Sequence, residues 1–305
     1  MQRRLAALNL EAEVVHAHFG QVAWIARSAG MCPLVASFYG SDASSGAVLR
    51  RWASRYTELF ADRGLVVAEG PAMVERLVAL GADRTRTRVL PLMAPVDTVP
   101  WHPPSTAGRI EVLMAGRLVA KKGFGLGLAA FAEVSGRHDV ALTVMGSGPE
   151  DQTLRANAGR LGVLDRVRFI PFADRSAFWA ALANADVLLQ PSRVAPDGDA
   201  EGGAPTVILD AQARGCVLVV SDHADIPFIV DPDAAYLSHE SDLRDLINKL
   251  EAACRTRDEW TERSARGRAH MEAQHSPTAV AARRDAIYTE ALALNRRTGV
   301  SRGVG

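Results

Sequence analysis

Cysteine is scarce in this sequence, and so is any excess of charge of one sign. Only Cys32, Cys216 and Cys254 occur among the 305 residues, and no two of them form a Cys-x-x-Cys pair. Neither a disulfide framework nor a zinc knuckle is indicated, and we expect a reducing, cytoplasmic environment. The 35 basic and 35 acidic residues cancel to a formal net charge of +0. Because no net field attracts a polyanion, nucleic acid is not an expected partner.

Long hydrophobic runs are absent as well. No apolar stretch approaches the roughly 20 residues that span a bilayer, and no signal-peptide core follows the first four residues. The sequence therefore predicts a protein that is soluble or, at most, peripheral at the inner face of a membrane. A GxGxxG turn after an early strand, with an acid about 20 residues later, is also missing, which disfavours a dinucleotide-dependent oxidoreductase.

The sequence does contain a regular alternation of short Val-, Ile- and Leu-rich runs with longer helical patterns, over a length sufficient for two domains of about 150 residues. This alternation predicts an α/β fold built on parallel sheets. In the first hundred residues the predicted strands are 14–18, 34–38, 65–68 and one near 88–92. Beyond residue 105 five strands are predicted, at 110–115, 141–145, 167–170, 187–190 and 217–220.

Residues that end helices and strands are concentrated at 100–108, where the sequence reads Pro-Trp-His-Pro-Pro-Ser-Thr-Ala-Gly. We therefore expect a linker there. The predicted organisation is a partial first Rossmann-like domain over 1–104, a second Rossmann-like domain over 105–275, and a C-terminal helix with a frayed tail over 276–305.

A basic, glycine-bounded turn follows the first strand of the second domain. Ligands of open parallel sheets bind at the carboxyl ends of the strands, where loops and helix N-termini offer amide donors. The turn after 110–115 places Arg117 and Lys122 between Gly116 and Gly123. A diphosphate is the ligand that we expect there. The alternative is a solvated, exposed turn, which is the commoner case for an isolated basic pair.

An acidic glycine loop lies between the predicted strand 187–190 and a following helix. It contains the run Glu-Gly-Gly-Ala-Pro at 201–205, with Asp210 further along. Pro205 suits a first helical turn, and the glycines let a ligand approach the backbone closely. The positive end of the helix dipole would face that ligand, and carboxylates accept hydrogen bonds from sugar hydroxyls. The alternative is that Glu201 is an ordinary N-terminal helix acid and Asp210 a surface residue.

Taken together, six short runs resemble the retaining, family-4 type glycosyltransferases, which have the two-domain GT-B fold. It is their joint order, between residue 14 and about 290, that carries the resemblance. The runs are 16–20 (His-Ala-His-Phe-Gly), 37–42 (Ser-Phe-Tyr-Gly-Ser-Asp), 116–123, 146–149 (Gly-Ser-Gly-Pro), 201–205 and 222–227 (Asp-His-Ala-Asp-Ile-Pro). The resemblance implies transfer of a hexose, with retention, from a nucleotide diphosphate sugar to a glycan or lipid-linked acceptor. Members with this type of loop imply bacterial capsule or exopolysaccharide assembly, with no cofactor beyond the sugar nucleotide as substrate.

The resemblance also assigns roles to matching positions. Arg117 and Lys122 match the basic pair that holds the donor diphosphate and stabilises its charge as it leaves. Glu201 matches the acid that contacts the transferred sugar, so these three are the predicted catalytic residues. Asp210 matches the acid that binds the ribose hydroxyls, but the family usually has glutamate there, and the shorter side chain predicts a weaker or water-mediated contact. The predicted donor-binding residues are Gly116, Gly146, Pro171, Phe172, Gly202, Gly203, Ala204 and Asp210.

On the acceptor or sugar side the predicted residues are His18, Tyr39 and Asp42. Tyr39 stands where many relatives have a histidine near the sugar, and it can donate one hydrogen bond. Asp42 is either a sugar or acceptor contact or a cap for the following segment, and the sequence does not choose between the two. His16 and His18 share one face of a strand, but without a third ligand we favour packing over a metal site.

Two further runs have alternative interpretations. Asp197-Gly-Asp199 resembles the metal-binding acid pair of the other main glycosyltransferase fold, but it lies in the wrong place for that architecture, and no metal is predicted. The basic aromatic stretch 50–56 suits phospholipid head groups or a lipid-linked acceptor. A solvated amphipathic helix is favoured over peripheral membrane contact for it.

The start of the chain affects the functional expectation. Family members have a strand, a glycine-rich turn and about two further βα units before the His-Ala-His strand, whereas this chain starts almost at that strand. We expect a truncated first domain, through a misplaced start, a partner chain that supplies the missing half, or degeneration of a paralogue. Two functions stay open: a working glycosyltransferase, favoured by Arg117, Lys122 and Glu201, and a nucleotide-sugar-binding remnant or regulatory subunit without turnover.

Overall fold

The computed structural model describes residues 12–203 and 205–297, and this part of the chain forms two parallel sheets. It divides into two compact units, each with its own sheet. The first consists of 12–92, 197–203 and 278–297, and the second of 93–196 and 205–277. Residues 93–104 therefore lie with the second unit, and most of the predicted C-terminal helix lies with the first. The predicted α/β fold on parallel sheets is confirmed.

The first unit has a four-stranded sheet in the order β1-β2-β3-β4. The strands are β1 (Val15–His18), β2 (Leu34–Ser37), β3 (Leu65–Ala68) and β4 (Thr87–Val89), and the helices between them are α1 (Gly20–Ser28), α2 (Ser41–Ser44), α3 (Gly46–Phe60) and α4 (Pro71–Ala79). Every residue of β2 and β3 is buried. Strands covered on both faces need continuous apolar runs, which is why these two were readable in the sequence.

The second unit has a six-stranded sheet in the order β10-β9-β8-β5-β6-β7. Its strands are β5 (Ile110–Ala115), β6 (Val140–Met145), β7 (Val167–Ile170), β8 (Val187–Gln190), β9 (Val217–Ser221) and β10 (Ala235–Ser238). Its helices are α5 (Phe124–Ser135), α6 (Asp151–Arg160), α7 (Arg175–Ala183), α8 (Thr206–Arg214), α9 (Ile226–Ile229), α10 (Leu243–Arg255) and α11 (Trp260–Gln274). The strand order reverses at β5, which pairs with both β6 and β8. Open sheets bind ligands outside the carboxyl ends of the strands at such a switch point.

The prediction of five strands in the second sheet was wrong by one. The sixth strand, β10, reads Ala-Tyr-Leu-Ser and lies at the sheet edge, paired in parallel with β9 alone. It lacks the β-branched run that marks a central strand, because an edge strand has only one neighbour to pack and pair with. Its pairing with β9 is what places the loop that follows it.

A last helix, α12 (Pro277–Arg297), packs on the first sheet. Ile287 and Ala291 are buried against Val35, Leu65 and Val67 of that sheet, with Tyr288 half-buried beside them. The apolar side chains of this helix thus pack on one face of the first sheet.

Two expectations about the chemistry of the chain can be compared with the fold. All three cysteines carry free thiols, and two of them are buried. None of the helices in the described residues is both long enough and apolar enough to cross a membrane. The predicted frayed tail falls mostly on residues 298–305, which lie outside the described residues.

Candidate functional site

In the second unit, the turns after β5 and β6 are joined by backbone hydrogen bonds. The amide of Gly116 donates to the carbonyl of Met145 (3.0 Å), and the amide of Leu118 donates to that of Ser147 (3.0 Å). A Cβ atom on Gly146 would lie 1.9 Å from the carbonyl oxygen of Gly116, so only glycine fits there. Gly116 itself has a φ of 150°, which favours glycine. Two of the predicted donor-binding glycines, Gly116 and Gly146, therefore lie against each other at the carboxyl edge of the sheet.

The side chain of Lys122 lies against Gly116. Its Cε and Cδ atoms are 3.6 and 3.8 Å from the position that a Cβ on Gly116 would take, and Arg117 beside it is exposed. Lys122 ends a short 3-10 turn, Ala120–Lys122, which Gly123 closes with a φ of 65°. A Cβ on Gly123 would lie 1.9 Å from the carbonyl oxygen of Pro191, so the turn is seated against the loop after β8. Two of the predicted catalytic residues thus lie together at the switch point.

The predicted nucleobase loop lies next to the same glycines. The amide of Gly146 donates to the carbonyl of Ile170 at the end of β7 (3.0 Å), and Pro171 and Phe172 follow. Both are exposed, and the ring of Phe172 lies 6.4 Å from that of Phe178. An exposed aromatic ring beside these glycine turns offers a flat surface of the kind on which a planar base can stack.

Asp210 lies on the second turn of α8 and is half-buried. Burial raises its pKa from the ordinary value of 3.8 to about 6, and the positive charge of Arg175 opposes that shift. The helix begins at Thr206, so Pro205 precedes the first helical residue instead of lying within the first turn. Gly215 ends the helix with a φ of 110°.

Glu201, Gly202 and Gly203 pack with the first unit, although their position in the sequence lies between β8 and α8 of the second. A Cβ on Gly202 would lie 1.6 Å from the Cα of Gly40, and one on Gly203 would lie 1.7 Å from a carboxylate oxygen of Glu69. These glycines are required by close contact within the protein, and ligand approach to them stays a prediction. Glu201 is buried. Ala204, also predicted to bind the donor, lies outside the described residues.

The predicted acceptor-side residues form a cluster at the end of β1 and β2. The rings of His16 and His18 stack at 4.4 Å. His16 is hydrogen-bonded through Nε2 to Ser37 Oγ (2.7 Å) and through Nδ1 to the hydroxyl of Tyr288 (2.8 Å). Nδ1 of His18 is hydrogen-bonded to the hydroxyl of Tyr39. The loop of Tyr39 contacts the loop of Glu201, because Gly40, which follows Tyr39, packs against Gly202, which follows Glu201. The predicted acceptor-side residues and the predicted sugar-contacting acid therefore lie in one region of the first unit.

Asp42 has its carboxylate turned toward backbone. It is 1% exposed, its Oδ2 accepts from the amide of Gly20 (3.1 Å), and its Oδ1 accepts from the amide of Tyr39 (3.0 Å). Burial raises the pKa of this carboxyl, and the amide hydrogen bonds oppose the shift. Of the two alternatives for Asp42, the contacts match a cap, but the helix whose first amide it binds is α1, which precedes it in the chain.

Neither pair that resembled a metal site has a third ligand within 12–203 and 205–297, since no group of three or more His, Cys, Asp or Glu there could hold a metal ion. Burial lowers the pKa of His16 from 6.5 to about 4, with help from the charges of His18 and Arg284. The His16 imidazole is therefore neutral near pH 7. Asp197 accepts the amide of Asp199 (3.0 Å) in a local turn.

The basic aromatic stretch forms part of α3. The guanidinium of Arg55 lies 5.2 Å from the ring centre of Trp24 and 5.1 Å from that of Trp52. The indole nitrogen of Trp24 donates to Glu58 (2.9 Å). The rings of Trp24 and Trp52 therefore make contacts within the first unit. This agrees with the favoured interpretation of 50–56 as part of a solvated amphipathic helix.

Sequence reasoning missed Glu69. This carboxylate directly follows β3, is 6% exposed and lies beside Gly203. The rule that ligands bind at the carboxyl ends of strands could have found it, because the strand 65–68 was predicted at the correct residues.

Comparison with known proteins identifies relatives in polysaccharide assembly. WcaL of Escherichia coli (strain K12), named as a colanic acid biosynthesis glycosyltransferase, is 30% identical over 257 residues, which are 81% of this chain and 62% of WcaL. AmsK of Erwinia amylovora, named as an amylovoran biosynthesis glycosyltransferase, is 26% identical over 220 residues, which are 70% of this chain and 53% of AmsK. This chain thus spans about three fifths or less of the length of these curated relatives.

Solved structures share the fold. HepE of Anabaena in complex with UDP has a TM-score of 0.78 at 17% identity, over 95% of this chain and 82% of HepE. Sucrose-phosphate synthase from Thermosynechococcus elongatus has a TM-score of 0.78 at 17% identity, over 95% of this chain and 76% of that chain. These likenesses confirm the predicted GT-B type of α/β fold.

The family described as "Glycosyl transferases group 1" matches residues 98–270. That range is more than half of the 305 residues and includes Gly116, Arg117, Lys122, Gly146 and Glu201. The chain therefore belongs to the group 1 glycosyl transferases.

Proposed function

We propose that this chain transfers a hexose from a nucleotide diphosphate sugar to a glycan or lipid-linked acceptor in exopolysaccharide assembly, with retention of configuration at the sugar carbon. The observation that carries the proposal is the glycine pair Gly116 and Gly146 at the switch point, with Lys122 lying against Gly116 and Arg117 exposed beside it. Family membership and the names of WcaL and AmsK support the class of reaction and of product.

On this proposal the donor diphosphate lies on the backbone of the two glycines. Arg117 and Lys122 stabilise the negative charge that grows on the diphosphate as the bond to the sugar breaks, which is commonly the largest contribution to catalysis of such a transfer. The acceptor hydroxyl attacks from the face that the nucleotide leaves. The protein contributes position and electrostatics, and the loop of Glu201 holds the sugar.

The nucleoside half of the donor would contact Phe172 and Asp210. Phe172 offers its exposed ring to the base, and Asp210 accepts hydrogen bonds from the ribose hydroxyls. With a pKa of about 6, Asp210 is mostly ionised at pH 7.5 and therefore an acceptor at that pH.

Nucleotide binding to the purified chain tests the diphosphate site. Arg117→Ala and Lys122→Ala should each weaken binding of UDP or GDP by roughly 10- to 100-fold in calorimetry, since each removes a hydrogen-bonding charge. Arg160→Ala, an exposed arginine on α6, is the control and should leave the affinity unchanged. Unchanged affinity in both site variants would remove the basis of the diphosphate assignment.

Turnover separates an enzyme from a binding subunit. The chain is incubated with UDP- and GDP-hexoses, with and without lipid-linked acceptors, and released or transferred sugar is measured. Sugar release or transfer that is lost in Lys122→Ala supports the enzyme. Tight nucleotide binding with no release or transfer under any condition would favour the nucleotide-sugar-binding subunit instead.

A further inference from the structure

Arg193 lies on the loop after β8, beside the switch point of the second sheet. The strand order reverses at β5, and β8 is one of its two neighbours. Ligands of open sheets bind in the crevice between the loops that follow two such strands. One of these loops is the turn of Arg117 and Lys122, and the other begins at Pro191, directly after β8. Arg193 is thus a basic residue at this crevice in addition to the pair that the sequence predicted.

The backbone of Arg193 is hydrogen-bonded to the turn of the basic pair. Its amide donates to the carbonyl of Lys121 (2.8 Å), and that carbonyl belongs to the peptide group that carries the amide of Lys122. A second contact lies two residues earlier, where the carbonyl oxygen of Pro191 would be 1.9 Å from a Cβ on Gly123. The long side chain of an arginine at this position can therefore reach a ligand that Lys122 holds.

The loop is also fixed directly after Arg193. The amide of Val194 donates to one carboxylate oxygen of Glu240 (2.7 Å), and the other oxygen is hydrogen-bonded to Nδ1 of His223 (2.8 Å). Burial acts to raise the pKa of Glu240, but these hydrogen bonds outweigh burial and lower the pKa, so the carboxylate is ionised. The consecutive amides of Arg193 and Val194 are thus bound by two different loops, and the backbone that carries the arginine is preorganised.

The side chain of Arg193 has no hydrogen-bond or ion-pair partner within 12–203 and 205–297. It is half-buried, and its Nε atom is closed to solvent without an acceptor. Glu240 on the neighbouring loop pairs with His223 and not with this guanidinium. The other half-buried arginines of the second unit each donate to an oxygen atom of the protein, and they are Arg214, Arg257, Arg263 and Arg268.

An unpaired guanidinium in a half-buried position is unfavourable for the free chain. Arginine stays protonated, so it cannot escape the cost by losing its charge, and a buried charge costs free energy unless it is paired. An unsatisfied group of this kind in a folded protein is explained by a bound ion or a catalytic role. The planar guanidinium matches two oxygens of a phosphate with two parallel hydrogen bonds, which makes a phosphate the fitting partner.

We propose that Arg193 is a third basic residue of the donor site, which binds the diphosphate from the side of β8 while Arg117 and Lys122 bind it from the side of β5. The inference rests on the function proposed above, because it names a further contact of the same diphosphate. All three residues belong to the second unit, and the proposal depends on no contact with the first. The charge of Arg193 then costs stability in the free chain and contributes affinity in the complex.

Binding of nucleotides with and without phosphates tests the contact. UDP, UMP and uridine, and likewise GDP, GMP and guanosine, are titrated into the unmodified chain, Arg193→Ala and Arg193→Lys, with NMR to detect weak binding. Arg193→Ala should weaken the better diphosphate roughly 10- to 100-fold, because a charge-assisted hydrogen-bonding group is lost. Its affinity for the nucleoside should stay within about twofold. Arg193→Lys keeps the charge without the planar fork and should recover part of the diphosphate affinity.

The stability of the free chain separates ligand binding from a structural role. Arg193→Ala should keep or raise the midpoint of urea unfolding, because it removes an unpaired charge. Arg257→Ala is the matched control, since that guanidinium donates to the carbonyls of Gly108 (2.7 Å) and Ser105 (3.0 Å). This variant should lower the urea midpoint and leave the affinity for UDP and GDP unchanged.

Diphosphate affinity that is unchanged in Arg193→Ala but falls in Lys122→Ala would overturn the role of Arg193 and leave the proposed function standing. An equal loss for diphosphate and nucleoside, or a urea midpoint that falls as in Arg257→Ala, would show a structural role and overturn it as well. Weakened diphosphate binding in a chain that transfers no sugar would support Arg193 while the proposed transfer fails. If neither diphosphate binds the unmodified chain, both proposals fail. If Arg193→Ala does not fold, Arg193→Gln, which keeps much of the side chain without its charge, replaces it in each measurement.

Discussion

The carboxyl edges of the two parallel sheets are built differently. At the edge of the first sheet, polar side chains bind one another and the backbone: His16 binds two hydroxyls, and Asp42 binds two amides. At β5 and β6 of the second sheet, the edge is glycine backbone, with Lys122 lying against Gly116 and Arg117 exposed. The same strand-and-helix topology therefore supports a hydrogen-bonded polar cluster in one unit and a glycine turn flanked by basic residues in the other.

The difference follows from the residues that end the strands. Histidine, tyrosine and aspartate carry donors and acceptors that can satisfy each other and nearby backbone amides at a fixed geometry. Glycine carries no side chain, so a phosphate can approach the backbone of the second edge closely. We expect nucleotide affinity to depend on the second edge and sugar or acceptor placement on the first.

The largest expected effect comes from filling the glycine contact of the second edge. In Gly146→Ala the new Cβ would lie 1.9 Å from the carbonyl oxygen of Gly116, so the two turns must separate. UDP affinity should fall by roughly 100-fold or more, because the diphosphate loses both its backbone surface and its charges. Calorimetry measures this, with Gly159→Ala as control, since nothing lies within 4 Å of that Cβ. Unchanged UDP affinity in Gly146→Ala would contradict the expectation that nucleotide binding depends on the second edge.

The corresponding change at the first edge should act on turnover instead. In Gly202→Ala the Cβ would lie 1.6 Å from the Cα of Gly40, and the loop of Glu201 must move. We expect kcat to fall roughly 10- to 100-fold, with UDP affinity nearly unchanged. Steady-state kinetics and calorimetry on the same preparation test this, with Gly125→Ala as a control that meets no neighbour. Equal losses of UDP affinity in Gly202→Ala and Gly146→Ala would mean that nucleotide affinity does not depend on the second edge alone.

Asp42 tests whether the first edge is structural. Asp42→Ala leaves the amides of Gly20 and Tyr39 buried without their acceptor, which should cost about 3 kcal/mol in the free energy of unfolding. Asp83→Ala removes a comparable acceptor from the amide of Thr85 at an exposed turn and should cost about 1 kcal/mol or less. Urea unfolding measures both. A similar, small loss in the two variants would contradict the buried cap.

The smallest expected effects are opposite pH dependences in the two units. The pKa of His16 falls from 6.5 to about 4 on folding, so the unfolded chain binds more protons between these values and stability rises with pH there. The pKa of Asp210 rises from 3.8 to about 6, so the folded chain binds more protons and stability falls as pH rises from about 4 to 6.

Two neutral variants separate these slopes by urea unfolding. Asp210→Asn should be more stable than the unmodified chain at pH 7, and the difference should shrink toward pH 4. His16→Gln should lose relative stability as the pH rises from 4 to 7, because the unmodified chain gains over that range. If the free energies of unfolding of both variants, each taken relative to the unmodified chain, changed with pH in the same direction, the opposite pKa shifts of His16 and Asp210 would be contradicted.

Parts of the fold could be predicted from local sequence because their signals are local. The strand 65–68 is buried throughout, and 110–115 is buried at every position except Glu111, so the sequence displays an apolar run in each. The turn of Arg117 and Lys122 could be predicted for a related reason, since it directly follows one of these strands. The edge strand β10 could not, and with it Glu240 was missed, because an edge strand needs less apolar surface.

By itself the sequence determined the α/β class, the position of the basic turn and the presence of an acidic glycine loop. Only the tertiary structure decided that the glycines of that loop fit against Gly40 and Glu69, that Asp42 binds the first amide of α1, and that Glu240 holds Val194. Each of these contacts joins residues far apart in the chain or on different loops. Their partners are chosen by which strands become neighbours in a sheet, and that is not encoded in any local pattern.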